Sequence, residues 1–349
     1  MSYVKPQINK LQMYVPGKSI GGIKLSSNEN PLGASSKTFE AVKEFKNFAR
    51  YPDGAGGDLK GELARFLNVE PSQLILGAGG DEVIQMISRS VLSPGDNIIQ
   101  ATPTFPQYEH HAIIEAADIK NIPLKNGVHN LDAMKDAIDE KTKIIWICNP
   151  NNPTGTYVNN TSLKNFLQEI PNNILVAVDE AYLEYVNASD FPISLELLKQ
   201  FSNLVILRTF SKVYGLASFR IGYGIGCTDF IQSLELGRLP FNTGSLSQIV
   251  AVAALGDQDF VKESKALNTA GLRQYTEFLN EYHVPYYDSQ ANFIFIPSKR
   301  KLGLEIGAKV FEAGYIIRAF PIGVRITVGT KEDNLAVISC LKDNLDLLV

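Results

Sequence analysis

Three segments of this chain end an apolar run in side chains able to do chemistry. They are Asn149-Pro150-Asn151-Asn152-Pro153-Thr154-Gly155, Asp179-Glu180-Ala181-Tyr182 and Arg208-Thr209-Phe210-Ser211-Lys212. A lysine desolvated beside a cationic ring loses its proton more readily and becomes a nucleophile toward a carbonyl carbon. A carboxylate such as Asp179 can hold a ring nitrogen protonated, and Asn152 and Tyr182 can donate to an oxyanion. A fourth segment, Gly77-Ala78-Gly79-Gly80-Asp81, follows Leu74-Ile75-Leu76 and precedes an apparent helix from Glu82 to Val91. Free N–H groups at such a helix start can face an anion, and Ser211 and Arg220 add side-chain donors, the guanidinium gripping two oxygens of a phosphate. An amine, a ring-nitrogen partner, phenolate donors and a phosphate site are together what pyridoxal phosphate requires. On this reading Lys212 forms the Schiff base, Asp179 makes the ring an electron sink, and Tyr108 covers one face of the ring.

Taken singly, each feature has an ordinary reading. Strands often end in Asp, a lysine after a strand usually sits on the surface, and Tyr182 can be a plain helix-face aromatic. Tyr182 is retained because it lies three residues past Asp179, on the same face of a helical turn begun there. A dinucleotide site is disfavoured, since a GxGxxG pattern counted from Gly77 places Glu82 where the third glycine belongs. His110, His111, His129 and His283 show no metal-ligand spacing, so no metal is expected and core or solvent-facing roles are assigned to them.

The elements that must position these residues follow from the alternation of short apolar runs with longer amphipathic stretches, the pattern of βα units in a mainly parallel sheet. Leu74-Ile75-Leu76, Ile144-Ile145-Trp146-Ile147, Ile174-Leu175-Val176-Ala177-Val178 and Leu204-Val205-Ile206-Leu207 read as buried strands. The last three begin about thirty residues apart, the length of a βαβ crossover. In open α/β sheets ligands bind beyond the carboxyl ends of the strands, where the reactive segments lie. Beyond Gln248–Leu255, a helical stretch, comes a long charged segment and then short strands such as 292–296. The expected architecture is therefore α/β: an N-terminal arm over residues 1–30, a large domain over 31–250 with its sheet flanked by helices, and a smaller α+β domain over 251–349.

The 349 residues are 45% hydrophobic and 20% charged, which excludes disordered and fibrous classes. A net charge of -4 offers no positive field for nucleic acid or an anionic membrane. Cys148, Cys227 and Cys340 show no CxxC spacing, which fits a reducing compartment. The N-terminal residues lack the apolar core of a signal peptide and no run is long enough to span a bilayer, so a cytoplasmic location is expected.

At Asn152-Pro153-Thr154-Gly155, Asp179 to Tyr182, Ser211-Lys212 and Arg220, the sequence resembles fold-type I pyridoxal-phosphate enzymes. Narrower marks are Tyr14-Val15-Pro16-Gly17-Lys18, Leu25-Ser26-Ser27-Asn28-Glu29-Asn30-Pro31, Arg50-Tyr51-Pro52-Asp53 and Val324-Arg325-Ile326-Thr327-Val328-Gly329-Thr330. These resemble the histidinol-phosphate aminotransferase branch over nearly the whole chain. The resemblance implies reversible amino transfer between L-histidinol phosphate and 2-oxoglutarate, a step of histidine biosynthesis. It also implies that Gly80, Asp81, Ser211 and Arg220 hold the cofactor phosphate, and that Arg325 binds the glutamate carboxylate with Arg318, Tyr14 and Asn28 lining the substrate side. A homodimer follows as well, with Tyr51 reaching the cofactor phosphate of the other subunit. Competing readings keep the fold: an aromatic amino acid aminotransferase, a threonine-phosphate-decarboxylase-like lyase, or a non-catalytic regulator.

Overall fold

The computed structural model describes residues 3–11, 21–298 and 300–348. Its larger sheet has seven strands: β2 (Leu74–Gly77), β3 (Asn97–Thr102), β4 (Asp118–Pro123), β5 (Thr142–Cys148), β6 (Leu175–Asp179), β7 (Leu204–Thr209) and β8 (Gly222–Ile225). Their order is β2-β8-β7-β6-β5-β3-β4, with β8 antiparallel to both neighbours and every other pair parallel.

Continuous apolar runs form the central strands because both faces of the sheet are covered. Ile145, Ile147, Val176, Val178 and Ile206 enter one core cluster, whereas Ile144, Trp146, Ala177, Val205 and Leu207 enter the other. Successive residues alternate between the two faces, as a strand requires. The four runs expected to be strands lie in β2, β5, β6 and β7.

β3, β4 and β8 carry weaker sequence signals, each for a physical reason. β4 is an edge strand and none of its residues is fully buried. β3 hides its amides by pairing them: Asn97 Nδ2 donates to Asp139 at 2.8 Å and Gln100 Nε2 to Asn121 at 2.8 Å. β8 is four residues long with glycine at two of them. A side chain on Gly222 would press on Gly80 N at 2.7 Å and Arg208 O at 3.0 Å, so its absence lets the helix Gly80–Val91 start directly against the sheet.

The second sheet has the order β1-β10-β11-β9, where β1 is Ile23–Leu25, β9 Phe293–Pro297, β10 Tyr315–Phe320 and β11 Gly323–Thr327. β1 runs parallel to β10, so the N-terminal segment supplies a strand that the sequence reading treated only as an arm. The charged segment after Leu255 is one 24-residue helix, Gln258–Glu281, whose Tyr275, Phe278 and Leu279 pack with Ile294, Ile296, Val324 and Ile326. No helix among the described residues is long and apolar enough to cross a membrane.

Candidate active site

β5, β6 and β7 end side by side, bringing Cys148, Asp179 and Thr209 to one rim, with Asn152, Tyr182, Ser211 and Lys212 in the loops beyond. A cavity of about 300 Å³ opens there. The segment after β1 (Ser26 to Glu29) and Arg318, Phe320 and Arg325 of the smaller sheet close its far side.

Burial moves the two central ionisable groups in opposite directions. The Lys212 ammonium is pushed down to about 8, mainly by desolvation and next by the nearby Arg325 guanidinium. Its Nζ donates to the Ser27 carbonyl at 3.2 Å and lies 5.8 Å from the Tyr182 ring centre. The Asp179 carboxyl is pushed up to about 6 by burial, against the opposing effect of two donors. Those donors are the Tyr108 hydroxyl on Oδ2 at 2.7 Å and the Ala181 N–H on Oδ1 at 3.1 Å, one on each oxygen, which fixes the carboxyl plane.

An anion cradle lies at the start of the helix Gly80–Val91, two residues earlier than the sequence suggested. Glu82 Oε2 accepts from the Ala78 N–H at 2.6 Å and the Gly77 carbonyl accepts from the Gly79 N–H at 2.7 Å. The amides left at the cavity are therefore those of Gly80 and Asp81, in the first turn that an α-helix leaves without intrahelical partners. Arg220 reaches the same place from a left-handed backbone, φ 49°, the kind of local strain concentrated at functional sites. Its guanidinium lies 3.5 Å from Asp81 and against Gly79, where any side chain would collide with it. Ser211 Oγ accepts from the Thr209 hydroxyl at 3.0 Å, which leaves the Ser211 proton to donate. Thr209 itself lines the cavity and is a site residue that the sequence reading passed over.

On the far side Arg318 and Arg325 are cross-strand partners in the β10–β11 pair, so both side chains share one face. Arg325 Nη1 donates to Asn152 Oδ1 at 2.6 Å and Nη2 to the Ser26 carbonyl at 2.5 Å, and its guanidinium lies 5.3 Å from the Phe293 ring centre.

Two expectations need correction and two lie elsewhere. Tyr108 does not cover the cavity: it is 0% exposed, stacked on Trp146 at 4.6 Å, and held inward by its bond to Asp179. Phe105, three residues earlier, is the aromatic ring that this segment contributes to the cavity wall. Tyr182 is not on a helical turn begun at Asp179, because the Glu180 N–H continues the sheet ladder to the Leu207 carbonyl at 2.9 Å; the turn that holds Tyr182 begins one residue later, the Leu183 N–H donating to the Glu180 carbonyl at 3.1 Å, and leads into the 3-10 turn Leu183–Tyr185. Its hydroxyl accepts from Asn28 Nδ2 at 2.8 Å. Tyr51 is 82% exposed, stacked on Phe241 and away from the cavity of its own chain. Tyr14 lies outside the described residues.

The family model for aminotransferases of class I and II matches residues 20–340. The chain belongs to the class I and II aminotransferases. This aminotransferase is 51% identical to histidinol-phosphate aminotransferase 2 of Bacillus thuringiensis subsp. konkukian (strain 97-27), over 98% of its own chain and 96% of the relative. Among solved structures it is similar to histidinol-phosphate aminotransferase from Sinorhizobium meliloti in complex with pyridoxal-5'-phosphate. That match has a TM-score of 0.92 at 23% identity and covers 100% of this chain and 99% of that one. It is also similar to L-threonine-O-3-phosphate decarboxylase from Porphyromonas gingivalis, with a TM-score of 0.80 at 20% identity over 93% and 99% of the two chains. At those identities both structures speak for the fold alone, which is the fold-type I architecture.

Proposed function

We propose that this aminotransferase binds pyridoxal phosphate and transfers the amino group of L-histidinol phosphate to 2-oxoglutarate, giving imidazole-acetol phosphate and glutamate. One observation carries the reading: a desolvated lysine, a buried carboxyl and a helix-start anion cradle share a cavity with two cross-strand arginines. The named activity of the 51% identical relative supports the substrate choice.

The residues present fit the cofactor. Asp179, locked by two donors, is suited to keep the ring nitrogen protonated, and Asn152 and Tyr182 to donate to the phenolate oxygen. Gly80, Asp81, Ser211, Thr209 and Arg220 would hold the phosphate, and Phe105 would lie against the ring. When bound, pyridoxal phosphate supplies a ring that withdraws electrons from the amine-bearing carbon of the substrate. Lys212, neutral for part of the time near pH 8, would be the amine that holds the cofactor through its aldehyde carbon, with water as the leaving group. Once freed by the substrate amine, its Nζ would be placed to take the proton from the substrate carbon as general base and to deliver it to the cofactor carbon as general acid. Arg325, with Arg318, binds the phosphate of one substrate and the carboxylate of the other, both of which suit a planar guanidinium.

The further parts of this reading concern the whole chain. Residues 1–30 act as an arm over the active site, 31–250 form the cofactor domain and 251–349 the small domain. The working unit is a cytoplasmic homodimer in which Tyr51 reaches the partner's cofactor phosphate and Tyr14 and Asn28 line the substrate side. A panel of histidinol phosphate, phenylalanine, tyrosine and threonine phosphate, scored for keto product against carbon dioxide, tests the reaction. Turnover is expected to favour histidinol phosphate with no carbon dioxide released. Preference for an aromatic amino acid, or release of carbon dioxide from threonine phosphate, would replace it.

A further inference from the structure

Asn28 borders the cavity yet is only 1% exposed, and it holds a left-handed backbone with φ 58°. Its backbone N–H donates to Thr327 Oγ1 at 3.0 Å, and its carbonyl accepts from Asn292 Nδ2 at 3.0 Å. Its Oδ1 accepts from the Thr327 hydroxyl at 3.1 Å, and its Nδ2 donates to Tyr182 Oη at 2.8 Å. Thr327 Oγ1 accepts the backbone N–H through one lone pair and gives its own proton to Asn28 Oδ1. In this orientation the amide presents its NH₂ group, which cannot accept, to Tyr182.

We propose that Asn28 is a positioning residue that aims the Tyr182 hydroxyl: its amide hydrogen occupies the phenol oxygen and turns the phenol proton into the cavity, toward the cofactor's phenolate oxygen. The inference rests on the reading above that Tyr182 meets that oxygen. It gives Asn28 a task distinct from touching substrate. The charged and titratable groups around Tyr182 are Arg325 from β11, Asp179 and Cys148 from the ends of β6 and β5, Tyr185 from the turn that follows, and Lys212. All of them remain when Asn28 is changed.

A donor on the phenolate oxygen stabilises its negative charge and so weakens its hold on the proton that gives the bound cofactor its yellow band. Loss of the donor raises the pH at which that band titrates. In Asn28→Asp the new carboxylate accepts from the Tyr182 hydroxyl, reversing the bond and withdrawing the donor from the cofactor. The experiment is a spectrophotometric pH titration of the holoenzyme in the wild type, Tyr182→Phe, Asn28→Asp and the double variant. Tyr182→Phe and Asn28→Asp should each raise the midpoint by about one to two units, the equivalent of a hydrogen bond to a charged group. The double variant should titrate with Tyr182→Phe alone.

A midpoint unmoved by Asn28→Asp, or by Tyr182→Phe, overturns the proposal. So does an additive rise in the double variant, which would mark a direct effect of the new charge. Should Asn28→Asp not hold cofactor, Asn28→Gly suits the left-handed backbone. It should give a smaller rise that disappears in the Tyr182→Phe background, and no rise rejects the idea. A wild type that never develops the yellow band defeats the cofactor reading itself, and this inference with it.

Discussion

Burial favours the neutral form of both Lys212 and Asp179, and it does so without pairing them directly. For the lysine the displacement to about 8 is useful in itself, because the free amine is the nucleophile. The rate at which cofactor-free protein captures pyridoxal phosphate, followed by the yellow absorbance, should therefore rise with pH about a midpoint near 8. A midpoint at the ordinary 10.5 would show that the amine remains hydrated. Asp179 depends on Tyr108 in the opposite sense, since that hydroxyl opposes the upward effect of burial. Tyr108→Phe keeps the ring stacked on Trp146 and removes only the donor. A hydrogen bond to a charged group contributes about 1.5 to 3 kcal/mol, so kcat should fall roughly ten- to a hundred-fold while the fold is retained. Unchanged kcat would mean that the Ala181 N–H suffices to hold the carboxyl.

Among the elements, β8 shows how a weak sequence signal can conceal a strong constraint. Gly222→Ala would drive a methyl group into Gly80 N and the Arg208 carbonyl, both backbone atoms. Such overpacking typically costs about 1 to 3 kcal/mol. Here it should also displace the Gly80 and Asp81 amides, so that cofactor affinity falls together with thermal stability. A stability loss with unaltered cofactor affinity would separate β8 from the cradle. The central strands were legible because sheet burial on both faces leaves unbroken apolar runs, and the residues ending them announced their chemistry by type. Phe105 was not, because two aromatics three residues apart give no sign of which one faces a cavity. Thr209 was missed as one ordinary hydroxyl at a strand end. The Asn28 knot joins residues 28, 182, 292 and 327, a set of contacts that no local pattern encodes.

At the scale of the molecule, the exposed Tyr51–Phe241 stack lies away from its own cavity, and the proposed shared site gives it a purpose in a partner chain. Tyr51→Phe and Lys212→Ala proteins, each impaired alone, should regain activity when their subunits are exchanged, since one site per mixed dimer then holds a normal Lys212 and a normal Tyr51. Verified mixed dimers no better than the average of the parents would count against sharing, provided Tyr51→Phe is impaired at the outset. The facing arginines of β10 and β11 also bear on how the smaller sheet moves. An anion held between a guanidinium of β10 and one of β11 would link the two strands, by about 0.2 to 1 kcal/mol for an opposite-charge cross-strand contact. Amide hydrogens of Tyr315–Phe320 and Gly323–Thr327 should then exchange with deuterated solvent somewhat faster in ligand-free protein. Inorganic phosphate should slow that exchange by roughly 1.4- to five-fold on the scale of 1.4 kcal/mol per decade, and Arg318→Gln should remove the effect of phosphate. Equal exchange with and without phosphate would mean that no anion links the two guanidinium groups across the hairpin. The substrate's anion would then be a brace for this sheet as well as a handle on the substrate, tightening the hairpin as each substrate arrives and loosening it as each product leaves.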